Sequence, residues 1–253
     1  MLLHPLSDTH AHMLPHHYQY YRHHTSFCFI KLRLLILLDS NVSMGEYKAC
    51  AIRETFEESG VLISEPHPEI SPAEVTSARK KVHDDASYLD VFLKEHNLKL
   101  AVSALHHHAN WLTPKTVPRR FNAHFFVTTL KNPSNFMPSS DYVETVGVNM
   151  YSPREAIDAA LSSTISLYPP QFYLMCDLLN LKDYTKYTAP KKVIQYCPEP
   201  RGTYLALPGD GGDAVNRVEI GKPTKSGFVI KGARRKNVPD FHDFEVKNTS
   251  TKL

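Results

Sequence analysis

Residues 27–38 are the most apolar run of the chain, interrupted only by Lys31 and Arg33, and read as a buried strand. At about a dozen residues the run is too short to cross a bilayer, which needs ~20. A short polar turn over 39–43 follows, and the spacing of apolar positions then predicts a helix over 46–59. Gly60 stops it, as suits a left-handed helix end. Residues 61–63 read as a strand, and Pro66, Pro68 and Pro72 mark a link into an amphipathic helical stretch over 71–97. Residues 99–105 read as a strand, 111–118 as a loop, and 121–130, rich in aromatic and β-favouring residues, as a central strand. A further strand is expected over 142–151. Ser152 and Pro153 then open a helix as cap and first residue, and Pro169-Pro170 precede another over 171–181. Turn residues 207–212 and an alternating stretch over 215–230 suggest a hairpin, followed by a basic, polar tail.

The first 26 residues lack this periodicity. They hold His4, His10, His12, His16, His17, His23 and His24 among prolines and tyrosines, and are expected to be poorly ordered. Three segments follow: 1–26, a principal domain over 27–184, and a C-terminal extension and tail over 185–253. A formal net charge of +3 gives no footprint for nucleic acid, and no membrane span is expected. Cys28, Cys50, Cys176 and Cys197 are far apart and include no C-x-x-C pair, so neither a disulfide framework nor a zinc site is indicated.

The chemistry concentrates in the helix over 46–59. Glu54, Glu57 and Glu58 stand at i, i+3 and i+4, on one face. Three carboxylates so placed repel one another unless a cation stands among them. Hard oxygen donors suit Mg²⁺ or Mn²⁺, which also bind phosphate oxygens. Arg53 is placed to orient one carboxylate. The opposite face, with Cys50, Ala51, Thr55 and Val61, is small or apolar enough to pack under a sheet. A glutamate-rich run is ordinarily a solvated helix face; the complete run from Arg53 to Val61, with its terminating glycine, shifts the balance.

That run, Arg53-Glu54-Thr55-Phe56-Glu57-Glu58-Ser59-Gly60-Val61, resembles the second half of the Nudix box, with Thr55 where a bulky apolar residue is usual. Other stretches resemble the acyl-coenzyme A diphosphatase branch, the nucleoside diphosphate-linked moiety X motif 19 family. They are Tyr47 to Ile52, Asn110-Trp111-Leu112-Thr113-Pro114, Pro118-Arg119-Arg120-Phe121, Glu144 to Gly147, Ser152-Pro153 and Pro169 to Tyr173. Leu207-Pro208-Gly209-Asp210 continues the resemblance weakly, and it covers about residues 46–235. The resemblance implies an α/β/α sandwich with a mixed sheet, N-terminally incomplete. It implies metal ligation by Glu54, Glu57 and Glu58, an orienting salt bridge from Arg53, and catalytic roles for Glu57 and Glu144. Arg119 and Arg120 would clamp substrate phosphates with their guanidinium forks.

The first half of the box is missing. Counting back from Arg53, its glycine falls on Asp39 and its first glutamate on Gly45, with Glu46 one residue out of register. The glycine loop that lets backbone approach a diphosphate closely is absent before the helix. The N-terminus is accordingly expected to be a truncated or misassigned version of the family's.

Other motifs weigh less. Asp8-Thr9-His10-Ala11-His12 is superficially like an amidohydrolase metal motif, but no further ligands follow in βα context. His106-His107-His108 reads as loop surface before metal ligand, and Trp111, Phe172 and Tyr173 as core before adenine platform. The C-terminal Thr251-Lys252-Leu253 resembles a peroxisomal address, with cytoplasm or mitochondrion otherwise. The expected function is metal-dependent hydrolysis of a pyrophosphate bond, with coenzyme A or an acyl derivative as favoured substrate. The alternative is a catalytically inactive Nudix-fold module that binds a ligand or protein. Sequence leaves the oligomeric state open.

Overall fold

The structure, a computed structural model, describes residues 2–3, 25–35, 42–114, 121–131, 147–148, 151–165, 167–179, 187–190, 194–196, 199–201, 204–206, 217–220 and 230–234. In chain order the elements are β1 (Leu2–Leu3), β2 (Thr25–Leu35), α1 (Met44–Ser59), β3 (Ser64–Glu65), α2 (Pro72–Asp84) and α3 (Tyr88–Glu95). Then come β4 (Lys99–Leu100), a 3-10 turn at Val102–Ala104, β5 (His106–Leu112), β6 (Phe121–Lys131), β7 (Gly147–Val148), α4 (Pro153–Leu161) and α5 (Pro169–Leu179). The last strands are β8 (Ile194–Tyr196), β9 (Glu199–Arg201), β10 (Tyr204–Ala206), β11 (Arg217–Ile220) and β12 (Ile230–Arg234).

The early apolar run and the aromatic strand meet as the longest ladder, antiparallel from Thr25 opposite Lys131 to Leu35 opposite Phe121. The central sheet is ordered β2-β6-β5-β8, with β5 antiparallel to β6 and parallel to β8, so it is mixed. Alternation along β6 sends successive side chains to opposite faces. Ala123, Phe125 and Val127 pack with α4 and α5 around Ile157, Phe172 and Leu174. Phe126 packs on the other side with Ile52 and Phe56 of α1, Val82 of α2 and Phe92 of α3. The result is the expected α/β/α sandwich, with α1 lying against the sheet.

Trp111, Phe172 and Tyr173 are core: all three are buried, and Trp111 meets Tyr173 edge-on at 5.8 Å between ring centroids. β11 pairs antiparallel with β12 inside a sheet ordered β12-β11-β10-β9, and β12 begins only at Ile230, where the stretch expected to alternate ends. The boundary placed at residue 184 cuts the central sheet, because β8 lies beyond it and pairs with β5.

Several elements differ from expectation for local reasons. The stretch 71–97 is two helices. Asp85 ends α2 in extended conformation, and its carboxylate accepts from the Ser87 amide at 2.9 Å and hydroxyl at 2.7 Å. This side-chain turn substitutes for helix continuation. Val61, Leu62 and Ile63 are buried, yet pairing starts only at Ser64 opposite Leu100. The strand expected over 99–105 lasts two residues before the 3-10 turn, where Ala104 N–H donates to the Ala101 carbonyl at 3.0 Å. The histidines assigned to loop surface, with Trp111 after them, form β5, because pairing with β6 outweighs their weak intrinsic preference. Of the strand over 142–151, Gly147–Val148 is the described part. The His-rich segment apart from Leu2–Leu3 and Thr25–Ser26, and the last residues, including Thr251 to Leu253, lie outside the described residues.

Candidate active site on the acidic helix

α1 is closed at both ends by its own sequence. The Ser43 hydroxyl accepts from the Glu46 amide at 3.3 Å, and the Glu46 carboxylate accepts from the Ser43 amide at 2.7 Å. This capping box uses Glu46 to satisfy an orphan amide. The hydrogen bond to the Ser43 backbone also holds the Glu46 carboxyl below the usual range. Glu46, one position out of register with the first glutamate expected of the box, is thus a cap. At the other end Gly60 takes φ +75° and its N–H donates to the Phe56 carbonyl at 2.8 Å. A side chain in that left-handed conformation would be strained, so glycine is required.

Between the caps, Ala51, Ile52, Phe56 and Ser59 are buried. Cys50 and Thr55, expected on the packed face, are only partly buried. The Thr55 hydroxyl turns back onto the Ala51 carbonyl at 2.7 Å, a bond within its own helix. Phe56, fully buried, stacks on Phe92 at 5.8 Å.

Glu54, Glu57 and Glu58 are half-buried together, neither solvated nor enclosed. Arg53 joins two of them. Its Nη1 donates to Glu57 Oε1, while Nη2 lies 3.7 Å from Glu54 Oε1 and 3.5 Å from Cys50 Sγ. Burial pushes the Cys50 thiol up, keeping its proton available to Glu54 Oε1 at 3.8 Å. The side chain of Glu57 is 14% exposed, so its pairing with Arg53 is less screened than a surface pair. Arg53 and Glu57 are therefore joined by an ion pair within α1.

The carboxylates are the hard oxygen donors that a divalent cation prefers. Among the described residues, however, no group of three or more His, Cys, Asp or Glu side chains stands close enough to hold one ion. One of the Glu57 oxygens is already engaged by Arg53. The donors fit by chemistry. Glu144, Arg119 and Arg120, the other expected site residues, lie outside the described residues, as do residues 36–41, where the box glycine is expected.

Sequence reasoning missed a polar strip between α1 and the sheet. Tyr47 of α1 stacks on His124 of β6 at 4.3 Å, and His124 Nδ1 lies 3.2 Å from His107 Nε2. His124 is 8% exposed, and its Nε2 has no hydrogen-bond partner among the described residues. Burial and the neighbouring His107 push its pKa down to about 4. Asn110 continues the strip, donating to Asn122 Oδ1 at 2.6 Å. The signal in sequence was the alternation itself: Asn122, His124 and Phe126 share a face, which a pattern reading assigns to solvent.

The three consecutive histidines do not converge on a metal. Alternation along β5 sends His107 and His108 to opposite faces. His107 meets His124, whereas His108 Nδ1 lies 2.9 Å from Tyr187 Oη, with Nε2 3.9 Å from Asp177.

Comparison with known proteins follows these features. The human acyl-coenzyme A diphosphatase NUDT19 is 34% identical over 148 residues, covering 53% of this chain and 39% of that protein. The Xenopus laevis protein of the same name is 31% identical over 194 residues, covering 64% of this chain and 50% of its own length. The chain thus spans half or less of these curated relatives. A crystal structure of a NUDIX hydrolase from Alicyclobacillus acidocaldarius superposes with a TM-score of 0.49 at 18% identity, covering 60% of this chain and 68% of that one. The family model of the NUDT19 Nudix domain matches residues 38–178, more than half of the sequence, from before α1 almost to the end of α5. By that match the chain belongs to the NUDT19 Nudix domain family.

Proposed function

We propose that this protein hydrolyses the pyrophosphate bond of a nucleoside diphosphate derivative, with coenzyme A or acyl-coenzyme A as favoured substrate. The observation that carries the reading is the half-buried Arg53–Glu54–Glu57–Glu58 constellation on a helix capped at both ends. The name of its relatives, acyl-coenzyme A diphosphatase, supports the substrate. The expected products are 3′,5′-ADP and (acyl)phosphopantetheine.

Glu54, Glu57 and Glu58 would hold Mg²⁺ or Mn²⁺, which when bound offsets charge on phosphoryl oxygens and lowers the pKa of a water. The chain's own contribution is orientation. Arg53 fixes one oxygen of Glu57 and leaves the other to face substrate or water. Packing of Ile52 and Phe56 against Phe126 holds the helix, and with it the carboxylate face, in one rotation relative to the sheet. Fixed charges in a partly desolvated site need little reorganisation during reaction. Glu144, and Arg119 with Arg120, complete the proposal as general base or further ligand and as phosphate clamp.

The test is product analysis after incubating the full chain with acyl-coenzyme A and Mg²⁺ or Mn²⁺. Metal-dependent appearance of 3′,5′-ADP supports the reading, and intact substrate contradicts it. A ligand-binding module without turnover is the second reading, favoured by one observation: no three-donor group is assembled among the described residues. Thermal stabilisation by coenzyme A without 3′,5′-ADP would support that instead.

A further inference from the structure

α2 carries an arginine on the face that it turns inward. Val75, Ala78, Arg79 and Val82 follow the i, i+3, i+4, i+7 spacing of a packed helix stripe. Arg79 is 6% exposed, as buried as the apolar residues around it. Its Nε and Nη2 both donate to the backbone carbonyl oxygen of Glu57, at 3.1 and 2.9 Å. That oxygen belongs to the last turn of α1, where carbonyls have no partner within the helix. A continuing helix would satisfy it from the Val61 amide. Here Gly60 turns the chain away at φ +75°, and the Val61 amide donates to the Ser59 hydroxyl at 3.2 Å instead.

The electrostatics point the same way. Negative side chains near the carboxyl end of a helix add to the partial negative charge already there. α1 has Glu54, Glu57 and Glu58 in its second half and no basic residue in its last turn. The missing cation arrives from α2.

We propose that Arg79 is a positioning residue of the acidic site. By gripping the Glu57 carbonyl it sets the last turn of α1, and so fixes where the Glu57 and Glu58 carboxylates stand. Its charge offsets the negative helix end that carries them. This inference rests on the metal-dependent hydrolase reading given above.

The experiment compares the full-length wild type with Arg79→Met, Arg79→Lys and Ser71→Ala. Ser71→Ala removes the hydroxyl that caps α2, so it weakens that helix without touching Glu57. Mn²⁺ binding is read by the electron paramagnetic resonance signal of the free ion, folding by circular dichroism, and turnover by 3′,5′-ADP release. The expected result for Arg79→Met is Mn²⁺ affinity weakened by about ten-fold or more, the usual effect of removing a partner that orients ligands. kcat should fall with it, while KM for acyl-coenzyme A stays within about two-fold, as for an interaction that does not bind substrate. Ser71→Ala should leave Mn²⁺ affinity unchanged. If Arg79→Met does not fold, Arg79→Lys decides. It keeps the charge but not the paired donors, and intermediate Mn²⁺ affinity with a wild-type spectrum is expected. Wild-type affinity in a folded Arg79 variant, or equal weakening by Ser71→Ala, overturns the inference and leaves the hydrolase reading standing. A wild type that neither binds Mn²⁺ nor releases 3′,5′-ADP overturns both.

Discussion

Acid should loosen the seat of the acidic helix, and His124 sets the amount. In the folded protein burial and the adjacent His107 hold its pKa down at about 4, against 6.5 for a free imidazole. The unfolded chain therefore takes up the proton first as pH falls. The stability contributed by the neutral ring is intact above about pH 6.5, declines between there and about pH 4, and is lost below. Linkage over that interval gives a loss of about 2 kcal/mol between about pH 7 and pH 5 from this residue alone. His107, also shifted down by burial, adds to it in the same direction. The ring at risk is the one on which Tyr47 of α1 stacks. The perturbation is His124→Gln, which cannot titrate and retains a partner for His107 Nε2. Urea unfolding of both proteins at the two pH values gives the comparison through the midpoint and slope. The variant should lose about 2 kcal/mol less than the wild type on acidification, whatever their difference at neutral pH. Parallel stability curves would refute the assignment of a proton-excluding role to His124.

Three further outcomes follow from the same helix. Phe56→Ala removes a fully buried ring stacked on Phe92 and should cost about 3–5 kcal/mol in chemical denaturation. Ser43→Ala deletes the hydroxyl that accepts from the Glu46 amide, and a loss of ~1 kcal/mol is expected by the same method. Gly60→Ala places a Cβ 3.3 Å from Val75 Cγ1 at φ +75°, so a loss of about 1 kcal/mol or more is expected; an unchanged melting temperature contradicts the strain argument.

The parts of the fold legible in sequence were those set by local chemistry. α1 could be placed from its apolar spacing and Gly60, and α4 from Ser152 and Pro153, because caps are decided within a few residues. β6 could be placed because aromatic and β-branched residues crowd it. What eluded the sequence depends on partners distant in the chain. β5 forms because β6 is beside it, despite three successive histidines that have no strong preference of their own. The polar strip of Asn110, Asn122 and His124 faces α1 and not solvent, and only the packing of helix on sheet reveals that. Within the site, that Arg53 would pair with one carboxylate was readable from its place beside them, and the structure shows that carboxylate to be Glu57. The grip of Arg79 on the Glu57 carbonyl spans 22 residues and was not readable, although an arginine inside an apolar helical stripe was the available signal. The family was readable because the acidic run is contiguous. Glu46, the carboxylate nearest the position expected for the first glutamate of the box, is occupied in capping α1.

The central claim is that the carboxylate face of α1 performs metal-dependent diphosphate hydrolysis. The most direct measurement is the initial rate of 3′,5′-ADP release from acyl-coenzyme A with saturating Mg²⁺, for the wild type and Glu57→Gln side by side. Glutamine keeps the size of the side chain while removing the charge that Arg53 and a cation both require. Release by the wild type, with a fall of about 10²-fold or more in the variant, is the predicted result. Equal rates from the two proteins would contradict the account.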